Sequence, residues 1–300
     1  MIDVYVAKVL GFCFGVRRAI DIVEAEAGKR DGISTLGQVV HNPRVVAGLN
    51  SKGAKVVSSL DNATHKTVAI TAHGTSPEVI EEIKKRGFNL IDATCPIVSK
   101  AQREAKELAD AGFQVIIYGE ANHPEVRGVV GWTKNQAVVT LNPEEDVPIP
   151  WRRVVLLSQT TKSQRSFSEF VGRFVAKNMD RINELRVVNT TCPETDERYE
   201  AAREMAPLVE MMIVIGGKNS ANTRKLAEVT EHMHIDTYHI EKADEINPEW
   251  LTGKSKVGVT AGASTPDADI DDVISKLKVL AGDAKIHQLA GTSAASSKFS

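Results

Sequence analysis

Short apolar runs alternate along the chain with polar segments of helical spacing. Runs of four to six residues rich in Val, Ile and Leu, such as TVAI, QVIIY and RVVLL, end abruptly in small and polar residues. Such runs, without polar alternation, are typical of strands buried on both faces of a parallel sheet. Helical patterns such as SPEVIEEIKKRG and SQRSFSEFVGRFVAKN follow them. The repeated order of strand, loop and helix predicts an α/β fold with mostly parallel sheets.

A repeated motif divides the chain into thirds. Cys95 and Cys192 both lie in Thr-Cys-Pro before a segment of helical spacing, and Cys13 lies at the start of a comparable segment. We therefore predict three similar α/β domains. The first predicted domain is 13–95, together with an N-terminal strand at 1–12. The second is 96–192 and the third is 193–281. The small, polar tail at 282–300 is predicted to be disordered.

Composition argues against several classes of function. A formal net charge of -2 and 5% aromatic residues provide neither the basic field nor the stacking surface of a nucleic-acid-binding protein. No apolar run reaches the roughly 18 residues that a membrane span needs. The first residues, MIDVYVAKVLGFCFGV, have no basic flank and predict a strand rather than a signal peptide. We therefore expect a cytoplasmic protein without nucleic-acid or membrane partners.

The three cysteines are the first candidates for chemistry. An odd number in a chain of this length does not make a disulfide framework. Pro96 and Pro193 suit the first position of a helix, so each preceding cysteine is predicted at a helix N-terminus, which favours the thiolate. One such cysteine would be a small buried hydrophobe, but three equivalent ones are expected to converge on one centre. Three thiolates suit zinc or an iron–sulfur cluster, and the spacing leaves both open, because the short CxxC signatures are absent.

Polar loops after the apolar runs are candidates for binding an anion, because ligands of parallel α/β sheets bind beyond the carboxyl ends of the strands. Three histidines lie in such loops, and imidazole donates hydrogen bonds to anions. They are His41, His73 and His123. Hydroxyl and amide candidates are Thr160 and Thr161 in SQTTKS, Ser220 and Asn222 in GGKNSANT, and Ser264 in AGASTPD. These residue types also cap helices, a role compatible with anion binding. The absence of GxxxxGK[ST] and of GxGxxG after a strand does not favour a nucleotide ligand.

Glu125 is the candidate proton donor. It follows His123 by two residues and is the only carboxylate so close to one of the three loop histidines. An isolated glutamate is usually a surface carboxylate. If this loop faces the predicted centre, Glu125 is the natural general acid.

Together, FCFGVRRAI, VHNP, AHG, DATCP, NHPEV, SQTT, TTCPET, GGKNSANT and AGAS resemble the LytB family of 4-hydroxy-3-methylbut-2-enyl diphosphate reductases. The resemblance runs from Cys13 to about residue 280, and the order and number of the motifs make it specific. It implies three α/β domains in a pseudo-threefold trefoil around a central cavity. It also implies one 4Fe–4S cluster per chain on Cys13, Cys95 and Cys192, whose fourth iron is open to the substrate hydroxyl.

The same resemblance implies roles for the other candidates. The diphosphate would be held by His41, His73, His123, Ser220, Asn222 and Ser264. Thr160 would lie near the hydroxyl, and Glu125 would supply protons. Ala221 stands where some members have Ser, so one side-chain contact is expected to be missing. The implied reaction is reductive dehydroxylation of (E)-4-hydroxy-3-methylbut-2-enyl diphosphate to isopentenyl and dimethylallyl diphosphate, the last step of the non-mevalonate pathway, with electrons from a ferredoxin or flavodoxin.

Two other functions are compatible with the residues alone. A metal-dependent hydrolase would hold zinc on the three cysteines, and iron content with visible absorption would separate it from a reductase. A phosphate-ligand sensor would bind diphosphates through the same loops without redox chemistry, since α/β folds serve many functions. Glu125 and the open iron position favour the reductase.

Overall fold

The computed structural model describes residues 2–29, 31–150, 152–282 and 284–289. The strands are β1 (Ile2–Val6), β2 (Ile33–Leu36), β3 (Ala54–Val57), β4 (Thr67–Ile70), β5 (Asn89–Asp92), β6 (Gln114–Tyr118), β7 (Val138–Thr140), β8 (Arg153–Ser158), β9 (Glu184–Val187), β10 (Met211–Ile215), β11 (Asp236–Ile240), β12 (Lys256–Ala261) and β13 (Ala284–Gln288). The α-helices are α1 (Phe14–Ala27), α2 (Pro43–Ser51), α3 (Pro77–Lys85), α4 (Pro96–Asp110), α5 (Pro124–Trp132), α6 (Gln164–Asn178), α7 (Pro193–Met205), α8 (Ala221–Glu231) and α9 (Asp267–Ala281). Short 3-10 helices span Leu60–Asn62, Met179–Arg181, Ala206–Leu208, Ala243–Glu245 and Pro248–Leu251.

Within the described residues the strands form three parallel sheets, in the orders β3-β2-β4-β5, β7-β6-β8-β9 and β11-β10-β12-β1-β13. The predicted α/β class with parallel sheets is therefore confirmed. The chain divides into two compact units, named here by their place in the sequence. The middle unit is residues 14–195, and the terminal unit is residues 2–13 with 196–289.

The middle unit contains the sheets of β2–β5 and β6–β9. In β6, Val115 and Ile117 pack against α4 and α5, while Ile116 packs against the phenylalanines of α6. Successive side chains of a strand point to opposite faces, and both faces of this sheet are covered by helices. This packing is the reason why QVIIY shows no polar alternation.

The terminal unit is built around β10, whose five residues MMIVI are all buried. Met211, Ile213 and Ile215 pack in a core that includes residues of α9, while Met212 and Val214 pack in a second core with residues of α7 and α8. This sheet is also covered on both faces. Among the described residues, no helix combines the length and the apolar character required to cross a membrane.

Two predictions about the ends of the chain are wrong. β1, assigned to the first domain, pairs in parallel with β12 and β13 of the terminal unit. Ala284–Gln288, assigned to a disordered tail, is strand β13, with Ala284 and Ile286 packed against the core and His287 stacked on Tyr5 at 4.8 Å. Such long-range pairing leaves no signal in local periodicity. Residues 290–300 of the predicted tail lie outside the described residues.

The predicted helix starts at the cysteines are confirmed. Helices α1, α4 and α7 begin directly after Cys13, Cys95 and Cys192. Each predicted third also contains the strands of one sheet. The sheet of the last third is extended by β1 and β13, which lie outside that third. The three-domain division itself stays a prediction.

Candidate active site

The predicted site residues divide between the two units. The middle unit carries His41, His73, Cys95, His123, Glu125, Thr160 and Cys192. The terminal unit carries Cys13, Ser220, Asn222 and Ser264.

Three strand-to-helix loops of the middle unit bring the three predicted histidines together. His41 precedes Asn42, the N-cap of α2, while His73 follows β4 and His123 is the N-cap of α5. The ring centroids of His41 and His73 are 4.7 Å apart, those of His73 and His123 5.7 Å, and those of His41 and His123 6.2 Å. The loops at the carboxyl ends of two different sheets therefore form one imidazole cluster.

The electrostatics of this cluster keep two of its rings neutral. Burial lowers the pKa of His73 to about 3, with smaller contributions from His41 and His123. Burial likewise lowers the pKa of His123 to about 4, helped by His41 and Lys162 and opposed by Glu120. The Nδ1 atom of His123 accepts the backbone N–H of residue 125 at 3.3 Å, so the neutral ring carries its proton on Nε2. This Nε2–H group is available to donate a hydrogen bond to an anion.

Glu125 is buried in the first turn of α5, with a side chain only 2% exposed. Its Oε1 atom accepts the backbone N–H of Thr160 at 2.6 Å, and its Oε2 pairs with the Thr160 hydroxyl at 2.8 Å. Burial raises the pKa of Glu125 to about 7, against the opposing effects of these two hydrogen bonds and of the charge of Lys162. The group is therefore poised between carboxylic acid and carboxylate at neutral pH, as a general acid requires.

The loop of Thr160 is fixed by contacts that the sequence analysis missed. The side-chain Oε1 of Gln159 accepts the backbone N–H of Glu120 at 3.0 Å, and its Nε2 donates to Thr161 at 2.8 Å. The Nζ of Lys162 lies 2.6 Å from Oε1 of Glu120. The polar composition of SQTTKS is visible in the sequence, but its pairing with the GEANHP loop is not.

The cysteines of the middle unit both lie at helix N-termini. Cys95 is the N-cap of α4, and its backbone N–H donates to the carbonyl of Ala72 at 3.0 Å. Cys192 directly precedes α7, and its backbone N–H donates to the carbonyl of Thr160 at 2.8 Å. Gly15 lies so close to Cys95 that a Cβ added there would be 2.4 Å from Sγ. The thiols are half-buried and take no part in a disulfide.

In the terminal unit, Cys13 lies beside the AGAS loop, because its backbone N–H donates to the carbonyl of Ala263 at 3.1 Å. Ser264 of this loop is buried. In general, a cysteine at a helix N-terminus is favoured as the thiolate, which is the form that binds metals. Across the part of the chain that is described, no three His, Cys, Asp or Glu side chains are arranged to hold a single metal ion.

The start of α8 supplies polar groups of the terminal unit. Ser220 is its N-cap, and its hydroxyl accepts the backbone N–H of Thr223 at 3.3 Å. Asn222 is 9% exposed, and its Oδ1 accepts the hydroxyl of Tyr199 at 3.3 Å. Its Nδ2 has no hydrogen-bond partner among the described residues. A buried amide N–H without a partner is costly, so this position fits an acceptor supplied by a ligand.

Two glycines in the GGKNSANT and AGAS motifs, Gly216 and Gly262, set the close packing of these loops. A Cβ added at Gly262 would lie 2.1 Å from the hydroxyl of Thr223, and one at Gly216 would lie 2.7 Å from that of Thr265. The φ of Gly216 is +144°, which side chains rarely adopt. The sequence analysis did not identify these threonines, although the GG and AGA sequences are signals of close backbone approach.

A groove of about 1030 Å³ in the middle unit lies next to the histidine loops. It is lined by Gly74 and Pro124, which directly follow His73 and His123, but by none of the predicted site side chains. Arg127 also lines it. The groove is therefore adjacent to the imidazole cluster rather than part of it.

These features define a class of protein. Parallel sheets carry neutral histidines, a buried carboxyl group with a pKa near 7 and thiols at helix N-termini, all on strand-to-helix loops. This combination is typical of an α/β enzyme that binds an anionic substrate beside a general acid and metal-ligating groups.

The chain belongs to the LytB family, because the family model described as "LytB protein" matches residues 4–278. A 4-hydroxy-3-methylbut-2-enyl diphosphate reductase of Dehalococcoides mccartyi (strain CBDB1) is 43% identical over 280 residues, which cover 93% of this chain and 98% of the relative. A relative of the same name from Aquifex aeolicus (strain VF5) is 38% identical over 283 residues, covering 93% and 96%. The family resemblance found in the motifs is thereby confirmed.

One solved structure agrees with this assignment, and a second has a similar fold. The structure of (E)-4-hydroxy-3-methyl-but-2-enyl diphosphate reductase, described as the terminal enzyme of the non-mevalonate pathway, is 38% identical, with a TM-score of 0.70, over 93% of this chain and all of the other. The reductase structure from Plasmodium falciparum is 24% identical, with a TM-score of 0.89, over all of this chain and 95% of the other. The second similarity shows the fold alone.

Proposed function

We propose that this chain is an iron–sulfur reductase that converts (E)-4-hydroxy-3-methylbut-2-enyl diphosphate to isopentenyl diphosphate and dimethylallyl diphosphate, the last step of the non-mevalonate pathway. The observation that carries the proposal is the buried pair of Glu125 and Thr160 next to the imidazole cluster. Relatives with the reductase name, matched over more than nine-tenths of this chain, support the substrate. The reaction consumes two electrons and two protons and releases the hydroxyl as water.

The proposed cofactor is one 4Fe–4S cluster, held by Cys13, Cys95 and Cys192. Each thiol directly precedes a helix, so the donor set fits a thiolate-bound cluster. When bound, the cluster supplies the two electrons and a Lewis-acidic iron, chemistry that protein side chains do not perform readily. We propose a small ferredoxin or flavodoxin as electron donor and a cytoplasmic location, in which the thiols stay reduced.

The diphosphate is assigned to two groups of polar side chains. The imidazole cluster would donate N–H groups, including Nε2–H of His123, and the orphaned Nδ2 of Asn222 would donate another. Ser220 and Ser264 complete the proposed set. A neutral imidazole donates one hydrogen bond, and a bound anion would raise the pKa of the buried rings and so favour the protonated form, which donates two.

Glu125 is assigned the role of proton donor. Hydroxide is a poor leaving group, and a carboxylic acid with a pKa near 7 can protonate it as the carbon–oxygen bond breaks. When Glu125 is protonated on Oε2, its hydroxyl can donate to Oγ1 of Thr160, and after proton transfer the threonine donates in return. Thr160 thus orients the carboxyl group in both protonation states.

Anaerobic purification and reconstitution, with iron and sulfide analysis, test the proposal. We expect about four irons per chain, a visible spectrum that changes on addition of the hydroxylated diphosphate, and turnover with a chemical reductant. Glu125→Gln should retain the cluster and substrate binding but lose turnover by about 10²–10⁴-fold. Zinc without visible absorption, after reconstitution has failed, would overturn the reductase in favour of the hydrolase. Diphosphate binding without turnover by the fully loaded protein would favour the sensor.

A further inference from the structure

Two loops of the middle unit face each other along several contacts. The acid loop, residues 119–125, follows β6 and ends with Glu125. The threonine loop, residues 159–162, follows β8 and contains Thr160. The contact between Glu125 and Thr160 is the innermost of these, and its geometry depends on how the remaining residues hold the loops together.

Gln159 makes the first link between the loops. Its side chain is 1% exposed, and its backbone N–H donates to the carbonyl of Tyr118 at 2.9 Å. Its Oε1 accepts the N–H of Glu120, and a Cβ added at Gly119 would be only 3.0 Å from its Cβ. The two backbones therefore pack without space for a side chain between them.

Lys162 makes the second link. Its Nζ lies 2.6 Å from Oε1 of Glu120, with the lysine side chain 20% and the glutamate side chain 39% exposed. The lysine side chain is therefore mostly withdrawn from water, unlike a lysine in an exposed surface ion pair. A buried lysine stem with one defined carboxylate partner restrains both loops.

We propose that Lys162 is a positioning residue of the proposed reaction: through Glu120 it holds the acid loop against the threonine loop, and so keeps the carboxyl group of Glu125 against Thr160. The effect on turnover rests on the proposed function, whereas the effect on protonation does not.

Lys162 and Glu120 have different effects on the pKa values of His123 and Glu125. The pKa of His123 is lowered by His41 and Lys162 and raised by Glu120. Burial raises the pKa of Glu125 to about 7, and the hydrogen bonds of Thr160 and the charge of Lys162 oppose this rise. Lys162 and Glu120 therefore act with opposite sign on the histidine, and Lys162 also lowers the pKa of the carboxyl group.

The test uses the full-length, cluster-loaded protein and two neutralising variants, Lys162→Met and Glu120→Gln. The protonated carboxyl of Glu125 is followed by infrared titration and assigned by its loss in Glu125→Gln, and His123 is followed by imidazole NMR. Lys162→Met should raise both midpoints by about 0.5 pH unit or more, the size expected of one partly solvated charge. Glu120→Gln should lower the His123 midpoint, because the carboxylate of Glu120 raises the pKa of that ring.

Two further variants serve as controls. Lys106→Met removes a lysine of another ion pair in the same unit, 2.7 Å from Asp110, and should change neither midpoint. Lys162→Arg keeps the charge and should retain the wild-type Glu125 midpoint, which covers the case in which Lys162→Met does not fold. The alkaline limb of kcat should follow the Glu125 midpoint in every variant.

Unchanged midpoints in a folded Lys162→Met protein, or the same direction of the His123 shift in both neutralising variants, would overturn the inference. A shift in Lys162→Arg equal to that in Lys162→Met would do so as well. Absence of turnover in the wild-type protein would refute the proposed function instead, while the infrared and NMR titrations would still decide the role of Lys162.

Discussion

Replacement of Glu125 by glutamine should stabilise the folded protein progressively as the pH rises. Burial raises the pKa of this carboxyl group from 4.5 to about 7 in the folded state. Below pH 4.5 the group is protonated in both the folded and the unfolded state, and its titration contributes no difference. Between pH 4.5 and 7 the unfolded chain releases the proton while the folded state retains it. Stability that is fully present at low pH is therefore lost across this window.

The magnitude follows from the difference in pKa. A shift of this size corresponds to about 3 kcal/mol of lost stability above pH 7, of which about 2–3 kcal/mol falls between pH 5 and pH 8. Glutamine has no charge to desolvate and escapes this loss. It keeps an oxygen that accepts the N–H of Thr160 but changes the contact with the threonine hydroxyl, a cost of about 1 kcal/mol that does not depend on pH.

Thermal unfolding of both proteins, measured anaerobically at several pH values from 5 to 8, tests this reasoning. The difference between variant and wild type cancels titrations that both share, including those of His73 and His123. At about 2–4 °C per kcal/mol, the Tm of Glu125→Gln relative to wild type should rise by roughly 5–10 °C from pH 5 to pH 8. A Tm difference that is constant or falls with pH would show that Glu125 is not a carboxyl group with a raised pKa.

Other substitutions test separate parts of the structure. Thr160→Val removes a hydrogen bond that lowers the pKa of the buried carboxyl, so an infrared titration should show a higher midpoint, and Thr160→Ser should restore it. Gly15→Ala places a Cβ about 1 Å inside contact distance of Sγ of Cys95, so iron loading should fall and the free energy of unfolding should decrease by about 1–3 kcal/mol. The control Gly172→Ala has open space around its Cβ and should leave iron loading unchanged. Ile286→Ala should lower the free energy of unfolding by about 1–2 kcal/mol if β13 packs as described, and no loss on denaturant unfolding would contradict that packing.

Local sequence was sufficient to predict most of the fold. The apolar runs QVIIY and MMIVI are strands whose sheets are covered on both faces, and Pro96 and Pro193 are the first residues of α4 and α7. The strand β1 was predicted correctly, but its assignment to the first domain was wrong and β13 was missed, because these two strands are far apart in sequence and pair with each other. Periodicity reports which residues are buried in a strand but not which strand lies beside it.

The candidate site was predicted in its residue types but not in its second layer of contacts. His41, His73 and His123 were identified because each follows a strand in a Gly- or Pro-bearing loop, and the rings do cluster. Gln159 and Lys162 were missed, because each acts on a loop that is some forty residues away in sequence. Side chains that hold one loop against another have no local pattern of their own.

The sequence by itself determined the α/β class and the helix starts at the cysteines, and it supplied the candidate site residues, because each depends on neighbours within one or two turns of chain. Only the tertiary structure decided that Glu125 is buried, that it faces Thr160 and that its pKa lies near 7. The physical reason is desolvation. The cost of a charge depends on every atom that replaces water around it, and the contacts of the Glu125 carboxyl group include Thr160, which is 35 residues away in the chain.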